Sequence, residues 1–108
     1  MSRYSLEVHP EALQEAIDAK RWYAREGGAA LGEDFMDRVD ALLDRLRDGT
    51  AILSATRHVP RALGVKRVRF ARFPYSLFVA LEPHDTVLVL AVAHHRRRPG
   101  YWLPRLVK

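Results

Sequence analysis

The spacing of apolar and polar positions changes twice along this chain. Arg3–Val8 ("RYSLEV") alternates residue by residue, the period of a strand with one buried face. From Pro10 the period lengthens, and Leu13, Ala16, Ile17, Tyr23 and Ala24 share one face of a predicted helix. Proline fits the first turn, where its missing N–H has no partner to lose, and Glu11 suits the positive end of the helix. Gly27-Gly28 ends that helix. A second follows, with Phe35, Val39, Leu42, Leu43 and Leu46 at i, i+4, i+7, i+8 and i+11, and Gly49 as its C-cap. The short connection predicts an antiparallel helical hairpin.

After it the segment "TAILSATRHVPRALG" has no period and reads as a loop. Then the two-residue period returns. "VKRVRF" sets Val68 and Phe70 against Arg67 and Arg69; "YSLFVAL" (Tyr75–Leu81) and "TVLVLAVA" (Thr86–Ala93) are apolar on both faces, as central strands are, and "EPHD" is the turn between them. The order strand, helix, helix, then three strands predicts an α+β fold: an N-terminal strand and helical hairpin packed on a mostly antiparallel sheet, one domain across residues 1–108. Tyr75 and Phe78 are expected in the core, Trp22 and Tyr23 within the hairpin, and Pro99, Trp102 and Leu103 as anchors of the C-terminal segment.

Composition narrows the class. No cysteine is present, so disulfides and thiolate metal sites are excluded. No apolar run approaches eighteen residues, and "MSRYSLEVHPEAL" lacks the apolar stretch of a secretory signal, so the expectation is a cytoplasmic protein with no membrane partner. The net charge of +5 hides an asymmetry. Residues 1–56 carry 7 Lys/Arg against 11 Asp/Glu, a balance of −4, while residues 57–108 carry 11 against 2, a balance of +9. A basic half of this kind suits a polyanion or an acidic protein. Its densest part is "AHHRRRPGYW", residues 93–102, where the last apolar strand ends. If the strands are neighbours, Arg67, Arg69 and Arg72 join this cluster.

The Arg67/Arg69 strand, Phe73-Pro74-Tyr75 at the start of the next, and His94-x-x-Arg97-x-Pro99-x-Tyr101-Trp102-x-x-Arg105 together resemble the RelE/ParE superfamily of bacterial toxins, of the plasmid-stabilisation type. The resemblance covers nearly the whole chain. It implies the toxin of a type II toxin–antitoxin module. The implied partners are a cognate antitoxin, which alone contacts operator DNA, and either DNA gyrase (ParE-like) or the ribosome and its mRNA (RelE-like). No cofactor is implied.

RNA cleavage needs a base for the 2′-hydroxyl, an acid for the leaving oxygen and cations for the phosphorane. His95, Arg97 and Tyr101 are the catalytic candidates if the chain is a nuclease. Arg67, Arg69, Arg72, His94, Arg96, Arg98, Trp102 and Arg105 are candidates for binding substrate or partner. One position departs from the nuclease branch: an arginine is favoured after the aromatic residue that begins the third strand, and here it is Ser76. With only Glu82 and Asp85 in the basic half, a carboxylate-held metal site is not expected. A gyrase inhibitor would use the cluster and the C-terminal segment as a binding surface without chemistry. A degenerate, non-toxic relative would retain only binding to nucleic acid or protein.

Overall fold

The computed structural model describes residues 2–106. Strand β1 (Ser5–Val8) leads into helix α1 (Pro10–Gly27) and helix α2 (Ala29–Asp48), followed by strands β2 (Ser54–Ala55), β3 (Val65–Arg69), β4 (Tyr75–Glu82) and β5 (Thr86–His94). One sheet results, in the order β1-β5-β4-β3-β2. Strand β1 runs parallel to β5, with Ser5 opposite Thr86 and Val8 opposite Val89, and the other pairs are antiparallel. This is the α+β arrangement expected from the sequence. The segment read there as a loop also contains β2, which pairs with Lys66 and Arg67, and a 3₁₀ turn at Arg61–Leu63. Two residues are too few for an alternation to register. The first strand is also shorter than its pattern, starting at Ser5 because the Arg3 and Tyr4 N–H groups donate to the Arg47 carbonyl at the end of α2.

The helical hairpin covers one face of the sheet. On α1 the buried residues are Ala12, Ala16 and Ala19, whereas Leu13 is 54% exposed. The expected stripe is therefore rotated: small side chains let α1 lie close to β5, and Leu13 turns to solvent. Trp22 is likewise half exposed, touching Tyr23 edge-on rather than filling the hairpin. The α2 stripe buries Phe35, Val39 and Leu46 as its spacing predicts, and Phe35 packs among Tyr23, Phe70, Phe73 and Tyr75. Gly49 caps α2 in the left-handed conformation (φ 75°), open to glycine at little cost.

The hairpin crossing is tight at Gly32, where a Cβ would sit 2.8 Å from the Lys20 carbonyl oxygen and 3.0 Å from the Ala24 Cβ. Alanine is the better helix former by about 1 kcal/mol, yet Gly32→Ala is expected to destabilise the protein by about 1–3 kcal/mol through overpacking. Thermal unfolding checks this; an unchanged or raised Tm would mean that the helices have room to spare.

The second face of the sheet carries its own apolar cluster, made of Val59, Val65, Ala80, Leu88, Leu90, Ala91, Ala93 and the C-terminal Trp102. Strand β5 serves both faces by means of a bulge. Phe78 pairs with Ala91 but Val79 pairs with Val89, so Leu90 is an extra residue. Val87, Val89 and Val92 face the helices, while Leu88, Leu90, Ala91 and Ala93 face away. Beyond Val89, strand β1 no longer covers the β5 edge, and the site is built there.

Candidate functional site

Glu15 of α1 reaches the open edge of β5. Its carboxylate accepts the Val92 N–H at 3.0 Å and the Tyr101 hydroxyl at 2.6 Å. Arg105 donates to both of its oxygens, at 2.8 and 3.2 Å, and also to the Leu90 carbonyl at 2.9 Å. Leu90 is the bulge residue, and two backbone groups that β1 leaves without strand partners are satisfied by a largely buried ion pair. The Arg105 side chain is only 10% exposed and that of Glu15 16%. Arg105 also meets Glu11 at 3.2 Å. Burial, the hydrogen bond to Glu15 and its charge all push the Tyr101 phenol far above the ordinary tyrosine range. The Arg105 guanidinium is held charged by Glu15 against the opposing effect of burial.

The Phe73-Pro74-Tyr75 turn positions the residues after β5. Tyr75 N–H donates to the Phe73 carbonyl, and His95 N–H donates to the Pro74 carbonyl at 2.9 Å. The Tyr75 ring stands edge-on to His94, with centroids 5.1 Å apart. His94 Nδ1 accepts the Arg96 N–H at 3.0 Å and its carbonyl accepts the Arg97 N–H at 3.0 Å, which turns the chain away from the sheet. Arg97 lies over the Tyr101 ring, 3.8 Å from its centroid, and 3.9 Å from Glu15. Trp102 is 1% exposed and stacks on Phe78, with centroids 5.0 Å apart.

Between this turn and the sheet is a cavity of about 220 Å³, on the face opposite the helices. Arg67, Ser76 and His95 meet in it. The Arg67 Nε–H donates to Ser76 Oγ at 2.9 Å, and Ser76 Oγ lies 3.1 Å from His95 Nε2. Ser76 is 1% exposed. Ser76 Oγ accepts the Arg67 hydrogen and has a second lone pair and its own hydrogen left, so it donates to His95 Nε2 or accepts from it according to the histidine tautomer. His95 is held below the ordinary histidine value by burial of its inner end; the Tyr75 carbonyl opposes the shift, and the charges of Arg67 and Arg69 and the neighbouring His94 reinforce it. Burial, with Arg69 and Arg57 nearby, also lowers the value for Arg67.

The structure thus brings Arg67, His94, His95, Arg97, Arg98, Tyr101 and Trp102 to one cavity and adds Arg57 and His58 from the segment read as a loop. Arg69 contributes charge beside them, and Arg96 is exposed on the same turn. Arg72 is not in the group. It lies over Phe73 and 3.7 Å from Asp34 of α2, because the chain after β3 turns back toward the hairpin. Tyr101 and Arg105 are tied to Glu15, and Trp102 is core as well as cavity wall. Two participants were not singled out from the sequence. Glu15 carried no signal as one of several acidic residues on α1, and Ser76 was noted only for the arginine it replaces. Among the described residues no cluster of His, Asp and Glu forms a metal-holding group, and no helix is long and apolar enough to cross a membrane.

Most of the chain has a match among family models. Residues 6–99 match that of the ParE toxin of the type II toxin–antitoxin system, parDE. The chain belongs to the ParE toxin family. A solved structure described as a chromosomal ParDE toxin–antitoxin system from P. aeruginosa shares the toxin's fold, with a TM-score of 0.68 and 17% identity over 84% of this chain and 95% of that one. No curated protein matches the toxin.

Proposed function

We propose that this chain is the growth-arresting member of a two-protein module, held inactive by a cognate antitoxin, and that when free it acts by binding DNA gyrase. One observation carries the choice of target: the Tyr101 hydroxyl is bound to Glu15 at 2.6 Å and holds its proton far above neutral pH. A ribonuclease needs two groups that exchange protons near neutrality, and the residue expected as the second is committed to the fold. Arg105 is committed with it, and a buried serine stands where the nuclease branch favours an arginine. Membership of the ParE family supports the same choice. The exposed Arg96, Arg97 and Arg98 form a cationic rim that suits an acidic antitoxin tail, with contact to operator DNA left to the antitoxin.

The contact between Ser76 and His95 beside Arg67 favours a second reading, mRNA cleavage at the ribosome, with His95 as base and Arg97 and Arg69 on the phosphate. A short induction in a cytoplasm without antitoxin separates the two. Labelled precursors are followed over minutes, alongside supercoiling by purified gyrase. DNA synthesis is expected to falter first and supercoiling to stop, with His95→Ala still toxic. Arrest of protein synthesis first, abolished by His95→Ala, would replace the gyrase reading by the nuclease. Growth without arrest would leave a non-toxic binding domain.

A further inference from the structure

The two edges of the sheet are built differently. Strand β1 carries the charged Glu7 and pairs along its whole length with β5. Strand β2 lies at the other edge and pairs on one side only, with Lys66 and Arg67 of β3. The segment that forms it, residues 50–56 ("TAILSAT"), has no charge and no proline. Native sheets blunt an open edge with charges, proline or a covering segment, because its N–H and C=O groups otherwise accept a strand from another chain. Here Ser54 and Ala55 are exposed, and none of those devices protects them.

Apolar surface collects beside this edge. A groove of about 380 Å³ lies on the hairpin side of the sheet, between the end of α2 and the last residues of β4. Leu46, Ala51, Leu53, Val79 and Leu81 line it, and Lys66 is its one charge. Leu81 is 64% exposed, and Ile52, next to Leu53 in the chain, 78%. Leu53 is exposed too, as is Leu63, which precedes β3. Four of the six large apolar side chains left in water among the described residues therefore lie at this end of the molecule. A soluble monomer rarely leaves such a patch uncovered.

We propose that this edge is an interface between two copies of the chain. Strand β2 of one copy pairs antiparallel with β2 of the other about a two-fold axis, and Ile52 and Leu53 of the two copies pack together across it. An isologous contact needs a patch that complements itself, and an uncharged edge with apolar flanks does so in the antiparallel sense. Charge decides the occupant. An acidic segment finds only Lys66 here, whereas the turn after β5 offers Arg96, Arg97 and Arg98, so this edge is left to an uncharged surface. The two Lys66 residues do not oppose the pairing. Their β3 strands would stand three strand spacings apart, about 14 Å, beyond the screening length of about 8 Å at physiological salt. Pairing edge to edge keeps both hairpins on one face of a continuous sheet and both cationic turns on the other, so the pair presents two cationic rims to the same side. The contact is small, which makes the association concentration-dependent rather than permanent.

The test is sedimentation of the full chain, without antitoxin, from low to high micromolar concentration, with backbone amide exchange measured at both ends of that range. The mass is expected to rise from 12.4 kDa toward twice that value, and the amides of residues 52–55 to slow as it does. Ile52→Lys changes a side chain that the monomer leaves in water, and it should weaken association by about tenfold or more because it acts at two symmetric positions. Leu81→Lys, at the groove, is the second variant and should weaken it as well. Arg96→Glu and added salt should not. A chain that stays monomeric throughout overturns the proposal, as does a pair that both lysine variants leave intact or one in which residues 52–55 exchange as freely as before. Growth into assemblies larger than two overturns the closed two-fold contact. Protection of residues 52–55 that appears only with an added acidic protein does so too, since the edge then belongs to that partner. None of these outcomes bears on the growth and supercoiling assays, so this proposal and the gyrase reading can fail separately.

Discussion

Glu15→Ala is expected to lower the unfolding free energy by about 3–5 kcal/mol, the cost of removing one partner from a buried ion pair. Four groups lose an acceptor at once: the Val92 N–H, the Tyr101 hydroxyl and two guanidinium nitrogens of Arg105. Arg105, 10% exposed, keeps only the Leu90 carbonyl and the more distant, exposed Glu11. Glu15→Gln, which retains one acceptor oxygen, should lose less. Urea unfolding of the three proteins measures the series, and a loss below about 1 kcal/mol for alanine would show that the clamp is not stabilising the C-terminal segment. The same clamp sets an alkaline limit. Because folding raises the Tyr101 value, its contribution is complete below the ordinary tyrosine value of about 10 and is lost as the pH rises beyond it. Tyr101→Phe should flatten that decline. The effect on toxicity separates fold from chemistry, since Tyr101→Phe keeps the ring under Arg97 and removes only the bond to Glu15.

Much of the fold was legible in the sequence because its elements carry strong periods. The α2 stripe from Phe35 to Leu46, the caps at Gly28 and Gly49 and the two apolar strands lie where their spacing puts them. The errors have physical causes. On α1 the stripe Leu13, Ala16, Ile17, Tyr23 and Ala24 holds at Ala16 and Tyr23, but close approach to β5 selects Ala12 and Ala19 beside them, and Leu13 and Trp22 are left outside. The bulge at Leu90 was hidden because a strand apolar on both faces looks the same in either phase. The proximity of Arg67 to His95 followed from strand neighbourhood, whereas the departure of Arg72 depended on how the chain leaves β3. Glu15 could not have been singled out: its partners lie 77 to 90 residues away, and the signature residues Tyr101 and Arg105 looked equally suited to a site. Residues that look suited to a site can serve architecture instead, and here Pro74, Tyr101, Trp102 and Arg105 hold the turn that presents His95 and the arginines.

Trp102→Ala should be comparably damaging, costing about 3–5 kcal/mol, and for a different reason. The sheet face away from the helices is covered by the C-terminal segment, with Val59 from the segment before β3 beside it, and Trp102 is its largest buried residue. The indole stacks on Phe78 and covers Leu90, Ala91 and Ala93, where small side chains leave space that only a large ring fills. Truncation opens a void under a segment held otherwise by Tyr101 and Arg105, and the Trp102 carbonyl, which accepts the Arg105 N–H at 2.9 Å, is no longer fixed by its own side chain. Loss of the ring therefore loosens the Glu15 clamp as well, and Glu15→Ala combined with Trp102→Ala should cost less than the two single losses added. Trp102→Phe, which keeps a stacking partner for Phe78, should lie between wild type and alanine. Thermal unfolding, with cellular abundance followed in parallel, measures this. If Trp102→Ala retains the wild-type Tm, the second face is not a core and the cavity floor has another support. If it unfolds as expected while Trp102→Phe still arrests growth, the indole serves the toxin by holding the turn in place, and contact with the target rests with the cations around it.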